Sequence, residues 1–132
     1  MVRTDTPIDY RHFDIKLRTR LEILRREIHA ALRRADTETY GELAGQVHDV
    51  EEESLADLLS DVNLAEISRD VEEVRDIEAA RRRIASRTYG ICLDCGETID
   101  PERLEAYPIA KRCLTCQRTH DARAARPAPP KL

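Results

Sequence analysis

The sequence predicts a mainly α protein: a long antiparallel helical (coiled-coil) hairpin, then a small four-cysteine metal finger and a short C-terminal helix. Three observations carry this. No proline falls in residues 8–100, which permits long uninterrupted helices. Two stretches of that region place apolar residues at helical spacing. The only four cysteines stand as Cys92-x2-Cys95 and Cys113-x2-Cys116, with seventeen residues between the pairs. Composition agrees: with no Trp, one Phe and 36% charged residues, the chain suits solvated helices better than a thick globular core.

Residues 1–8 are expected to be a flexible N-terminus. From about Asp9 to Ala35, Leu17, Leu21, Leu24, Ile28, Ala31 and Ala35 are spaced 4, 3, 4, 3, 4, a heptad seam with Arg and Glu on the other faces. Gly41 and Gly45, with Thr37, Thr39 and Tyr40, predict that the helix ends or turns over 36–49. A second helix is expected from about Val50 to Arg87, carrying Leu55, Leu58, Leu59, Val62, Val71, Val74, Ile77 and Ile84 on a stripe that drifts from a strict heptad. Tyr89-Gly90 should stop it, with Gly90 as the C-terminal cap. Residues 9–87 therefore form the hairpin, its tip near 36–54. The finger and a C-terminal helix occupy 88–125, and the proline-rich 126–132 is expected to be a disordered tail.

Two C-x-x-C pairs at this separation supply four soft, deprotonated ligands for a tetrahedral ion, so Cys92, Cys95, Cys113 and Cys116 are the expected ligands of one structural zinc. Gly96, directly after Cys95, tolerates the positive φ that such a tight turn requires. Disulfides would suit a secreted domain, but MVRTDTPIDY contains no apolar signal region, and a reducing cytosol is expected. A redox C-x-x-C stands alone rather than duplicated, and a catalytic zinc needs an open position that four thiolates close. His120 is expected to be a solvated surface side chain. No nucleophile–base constellation or phosphate-binding loop supports an enzyme.

The net charge of −4 conceals a partition. Residues 10–36 hold eight Lys/Arg against four Asp/Glu, whereas 37–62 hold eight acids and no Lys or Arg. Part of that acidity suits a helix N-terminus, where carboxylates complement the dipole; the rest suits a probe for something positive. A pI near 5.6 and a nearly neutral finger argue against direct sequence-specific DNA binding. No apolar run approaches the roughly twenty residues that span a membrane.

Tyr89-Gly90-Ile91-Cys92-Leu93-Asp94-Cys95-Gly96, then Arg103-Leu104-Glu105-Ala106-Tyr107-Pro108-Ile109-Ala110, then Cys113-Leu114-Thr115-Cys116, resembles the C4-type zinc finger of the DksA/TraR family. The resemblance implies a bacterial cytoplasmic regulator that binds RNA polymerase rather than DNA, inserting a hairpin into the secondary channel so that its acidic tip approaches the catalytic centre. Counted back from the first cysteine, the family's D-x-x-D-x-A tip pattern falls on Asp49, Glu52 and Ser54. The second acid is one methylene longer and the small apolar residue is a hydroxyl. The basic residues of members that answer the alarmone ppGpp fall on Asp76, Tyr107 and Gln117, none of them basic, so no alarmone site is expected. The alternative is a zinc-stabilised helical adaptor for another protein or for self-association.

Overall fold

A computed structural model of the chain describes residues 7–35, 38–49 and 54–125, the side chains of 48 and 49 apart. Six helices follow in order: α1 (Tyr10–Arg34), α2 (Glu38–Asp49), α3 (Leu55–Leu58), α4 (Ala65–Ala85), α5 (Pro101–Ala106) and α6 (Leu114–Ala124). Expectations for the first six residues and for 126–132 lie outside the described residues. No helix among those described is long and apolar enough to cross a membrane.

α1 begins because the Asp9 side chain accepts from the His12 backbone N–H, satisfying one of the orphan donors of the first turn. Arg33 and Arg34 fall in the last turn, where cations complement the carbonyl end of the dipole. Its seam is buried as the heptad predicts: Leu17, Leu21, Leu24, Ile28 and Ala31 face the core, joined by Phe13 and Leu32. α4 runs antiparallel to it and buries Ile67, Val71, Val74, Ile77 and Ala80. Each fully buried Leu or Ile along this seam contributes roughly 1.5–3 kcal/mol of transfer free energy.

Charged pairs set the register of the hairpin. Arg34 pairs with Glu66 at its far end and Arg20 with Glu73 in the middle. Arg81 meets Asp14 near the base, where the Tyr10 hydroxyl donates to the carbonyl of Arg87.

Between the two long arms the chain departs from the single helix expected over 50–87. α2 returns along α1, burying Ala44 and Val47, and the Arg25 guanidinium donates to the Val47 carbonyl at 2.7 Å. α3 is a single short helix that sinks Leu55 and Ala56 against the core. Residues 59–64 then break the helix, with Leu64 extended (φ −123, ψ 109) ahead of α4. The drifting stripe of Leu55, Leu58, Leu59 and Val62 explains the break: kept on one straight helix it would leave the seam, and folded back it adds to the core.

α4 also ends earlier than the sequence indicates. Its last residue is Ala85, and the left-handed position is Arg87 (φ 63), while the Arg83 carbonyl accepts from the backbone N–H groups of both Thr88 and Tyr89. Gly90 is not the helix cap. Its φ of +83 turns the chain into the finger, where its carbonyl accepts from Ile99 N–H.

Candidate metal centre

The finger is built from two knuckles joined by α5. Cys92 N–H donates to the Glu97 carbonyl at 2.8 Å and Gly96 N–H to the Cys92 carbonyl at 3.0 Å, so the first knuckle closes on itself. Gly96 has φ +74, the left-handed geometry its position predicts. A single antiparallel bridge between Ile91 and Thr98 pins the base of this turn. The second knuckle opens α6, with Cys113 at the helix N-cap and Gln117 N–H donating to its carbonyl.

Three bonds bring the knuckles together. Leu93 N–H donates to the Lys111 carbonyl, Arg112 pairs with Asp94 at 2.9 Å, and Arg103 donates to the Arg112 carbonyl. The intervening motif residues have distinct tasks. Asp100 caps α5 by accepting from Glu102 N–H with Pro101 in the first turn, Leu104 and Ala110 are buried, and the Pro108 carbonyl accepts from the Tyr89 hydroxyl at 2.8 Å. α5 was legible in Asp100-Pro101-Glu102, a cap followed by proline and an acid, though helical periodicity alone misses so short an element.

The result gathers Cys92, Cys95, Cys113 and Cys116, whose sulfurs all lie within 4.8 Å of one another. Cys95 Sγ and Cys113 Sγ are 3.9 Å apart. A tetrahedral zinc with Zn–S near 2.3 Å needs sulfurs about 3.8 Å apart, so this donor set fits the ion in both chemistry and spacing. Burial pushes the Cys92 thiol up, but backbone hydrogen bonds from Cys95, Cys113 and Asp94 outweigh it and hold the group at about 6. The Cys116 thiol is pushed up to about 12, first by its hydrogen bond with Cys113. Removal from solvent raises Cys95 too, as does its hydrogen bond to Cys92. One sulfur ionises readily and its neighbours then resist, as expected of thiols crowded around the place of a cation. His120 is exposed and shares a hollow with Cys95 and Cys116.

The finger is fastened to the hairpin at three places. Glu105 of α5 receives the His12 imidazole at 2.8 Å and the Lys16 ammonium at 2.8 Å, both from α1. Lys111 pairs with Asp76 of α4 at 2.8 Å, and Phe13 packs on the buried Tyr89 ring at 5.3 Å. Hydrogen bonds from Lys16, then His12, hold the Glu105 carboxyl below its ordinary range.

The other residues singled out from the sequence are not gathered with the cysteines. Asp49 is the last residue of α2, and Glu52 lies outside the described residues. Ser54 caps α3: its hydroxyl accepts from Asp57 N–H at 3.1 Å and donates to Glu78 at 2.7 Å. Glu78 also accepts from Leu55 N–H at 3.0 Å and Ala56 N–H at 3.3 Å, so one α4 carboxylate holds the N-terminus of α3. Sequence reasoning missed Glu78, because nothing local marks a cap supplied from more than twenty residues away. The other three positions line one hollow, where Asp76 pairs with Lys111, Tyr107 is exposed and Gln117 donates to Asp121.

Residues 87–122 match the family model described as the prokaryotic dksA/traR C4-type zinc finger. General stress protein 16O of Bacillus subtilis (strain 168) is 34% identical over 84 residues, 61% of this chain and 50% of that protein. The chain spans half or less of the length of the curated relatives it matches first. Among solved structures, the DnaK suppressor protein of Agrobacterium tumefaciens C58 superposes with a TM-score of 0.58 at 29% identity, covering 89% of this chain and 99% of that one. Transcription factor DksA2 of Pseudomonas aeruginosa gives 0.50 at 25% identity, covering 87% and 88%. The family match thus covers the finger, and the likeness to these solved structures extends over the hairpin as well.

Proposed function

We propose that this chain is a zinc-binding transcriptional regulator of the DksA/TraR type, cytoplasmic and bacterial, that acts by docking on RNA polymerase and catalyses no reaction. The observation that carries the reading is the four-thiol cluster within a dksA/traR-type finger, set at the base of an antiparallel helical hairpin. Zinc, one per chain, fixes the two knuckles. The knuckles orient α5, and α5 is clamped to the hairpin through Glu105. The metal is thus structural, and its task is to set the angle at which the hairpin leaves the finger.

In this reading the polymerase secondary channel receives the distal half of the hairpin, where residues 37–62 carry eight acids uncompensated in sequence. Asp49 and Glu52 are the proposed contact carboxylates, and Ser54 orders the segment through its cap on α3. An acidic element suits a channel that ends near bound magnesium and basic side chains. No alarmone contact is assigned, since Asp76 is neutralised by Lys111 rather than replaced by a cation.

The test is co-purification of the zinc-loaded chain with core RNA polymerase, with competition by a second secondary-channel factor. Binding at micromolar concentration that the competitor displaces is the expected result. The double variant Asp49→Ala/Glu52→Ala should lose effect on promoter-complex lifetime. Folded, zinc-loaded protein that does not associate with the polymerase refutes the proposal.

A further inference from the structure

His120 is the one histidine on α6, and the four-thiol arrangement does not use it: it is not among the gathered ligands. It is exposed, and among the described residues it has no hydrogen-bond or ion-pair partner. Its place follows from Cys116, four residues earlier on the same helix. Four residues turn a helix by about 400°, so the two side chains share a face, about 6 Å apart along the axis. Helical Cα–Cβ bonds tilt toward the N-terminus, so His120 leans over the turn that carries Cys116 rather than away from it. Ligands at i and i+4 on one helix face can hold a single zinc, as the two histidines of H-E-x-x-H do.

A hollow of about 330 Å³ joins this imidazole to two of the thiols. Asp94, Cys95, Cys116, Thr119, His120 and Arg123 line it. Cys92, 2% exposed, and Cys113, at the N-cap of α6, do not. Of the four thiols, Cys95 is the exposed one. On its other side His120 borders the hollow of Lys111 and Gln117, and α6 buries none of its residues, so the ring can turn without unpacking a core. Asp94 gives one carboxylate oxygen to Arg112, and its other oxygen offers the acceptor that a metal-bound imidazole needs for its second N–H.

We infer that the metal centre has a second coordination state, Cys92, Cys113, Cys116 and His120, in which the imidazole takes the corner left by Cys95. Three thiolates and one histidine are a closed structural set for zinc, and a neutral ring nitrogen binds at about 2.0–2.1 Å against about 2.3 Å for sulfur. The exchange also removes one negative charge from a crowded group of sulfurs. The ion and the finger are kept while Cys95 is released as an exposed thiol. This state rests on the zinc reading above and is independent of polymerase docking.

The test uses the full chain, with zinc affinity measured by chelator competition and coordination by the cobalt(II) spectrum. Cys95→Ala should keep one ion per chain and tetrahedral cobalt bands, with sulfur-to-metal charge transfer falling from four thiolates to three. Cys95→Ala/His120→Ala should bind zinc on the order of 100-fold more weakly than Cys95→Ala, about one ligand's share of the binding free energy of such a site. The ring nitrogens of His120 should take metal-bound NMR shifts in zinc-loaded Cys95→Ala and free-imidazole shifts in the wild type. His120→Ala alone should leave metal content and the four-thiolate spectrum unchanged, and Cys92→Ala, a thiol outside the hollow, should lose the metal. Loss of metal from Cys95→Ala as complete as from Cys92→Ala overturns the inference. So does zinc binding by Cys95→Ala that is indifferent to His120, in which case water closes the site. A wild type that binds no metal refutes the zinc reading and this inference together, whereas failure of Cys95→Ala beside a zinc-loaded wild type refutes the inference alone.

Discussion

Replacing Glu78 with alanine should release α3 while leaving the hairpin folded. The carboxylate accepts three hydrogen bonds, from the Ser54 hydroxyl at 2.7 Å, Leu55 N–H at 3.0 Å and Ala56 N–H at 3.3 Å, all partly buried. Hydrogen bonds to a charged acceptor are worth about 1.5–3 kcal/mol each, but the 3.3 Å contact is long and the freed N–H groups regain water. The net loss should therefore be about 2–4 kcal/mol, and at about 1.4 kcal/mol per decade this is at least a 30-fold fall in local protection. Hydrogen exchange at the amides of Leu55, Ala56 and Asp57 reads it directly. Glu78→Gln keeps one oxygen, the one that serves Ser54 and Ala56, and should lose about half as much. Unchanged protection at these amides in Glu78→Ala would refute the argument that a remote carboxylate, rather than the local Ser54 cap, holds this helix. A collapse of protection throughout α1 would refute it too, because α3 would then be integral to the hairpin rather than fastened onto it.

Cys113→Ser should lose one zinc per chain by metal analysis and melt the finger, since structural zinc supplies about 10–16 kcal/mol of apparent binding free energy to such modules; a variant that keeps both metal and near-native exchange contradicts the four-thiolate site. Gly90→Ala should lower stability by about 1–3 kcal/mol in urea titration, because φ is +83 and a Cβ would sit 2.4 Å from Ile8 Cδ1 and 3.3 Å from Leu104 Cδ1. The Glu105 carboxyl is held low by Lys16 and His12, so its stabilising contribution is present above its ordinary value of 4.5 and is lost as pH falls through the depressed folded value. Glu105→Gln should flatten that acid limb. The difference between the two pH profiles is the readout, since acid also reprotonates the thiolates.

The hairpin arms were legible because their signal is periodic. The α1 seam from Leu17 to Ala31 is buried as its spacing demands, and the four cysteines meet as their spacing demands. What was not legible depends on contacts distant in sequence. Gly41 and Gly45 read as a helix end, yet α2 runs through both, because burial of Ala44 and Val47 against α1 outweighs the propensity penalty. The break at 59–64 carries no proline or glycine; it follows from where Leu55, Leu59 and Val62 find core. Arg87 takes the left-handed capping position expected of Gly90, and its guanidinium lies 4.9 Å from the Tyr10 ring, an attraction that offsets part of the strain. Local rules found α1, α4 and the cysteine knuckles, while tertiary contacts shaped α2, α3 and the break between α3 and α4.

α4 joins the two functional halves without making them one unit. Asp76 holds the finger through Lys111, and two residues later Glu78 holds α3. Two residues along a helix turn by about 200°, so these carboxylates point to opposite sides of the same strut. Loss of zinc should therefore free the Lys111 tether and loosen α5 while leaving the Glu78 bonds in place. Hydrogen exchange on chelated protein should show fast exchange at Leu104 and Ala110, with Leu55 and Ala56 still protected. The converse holds for Glu78→Ala, which should keep its zinc. If chelation also strips protection from Leu55 and Ala56, the metal governs the acidic segment through α4, and the finger is a switch rather than a clasp.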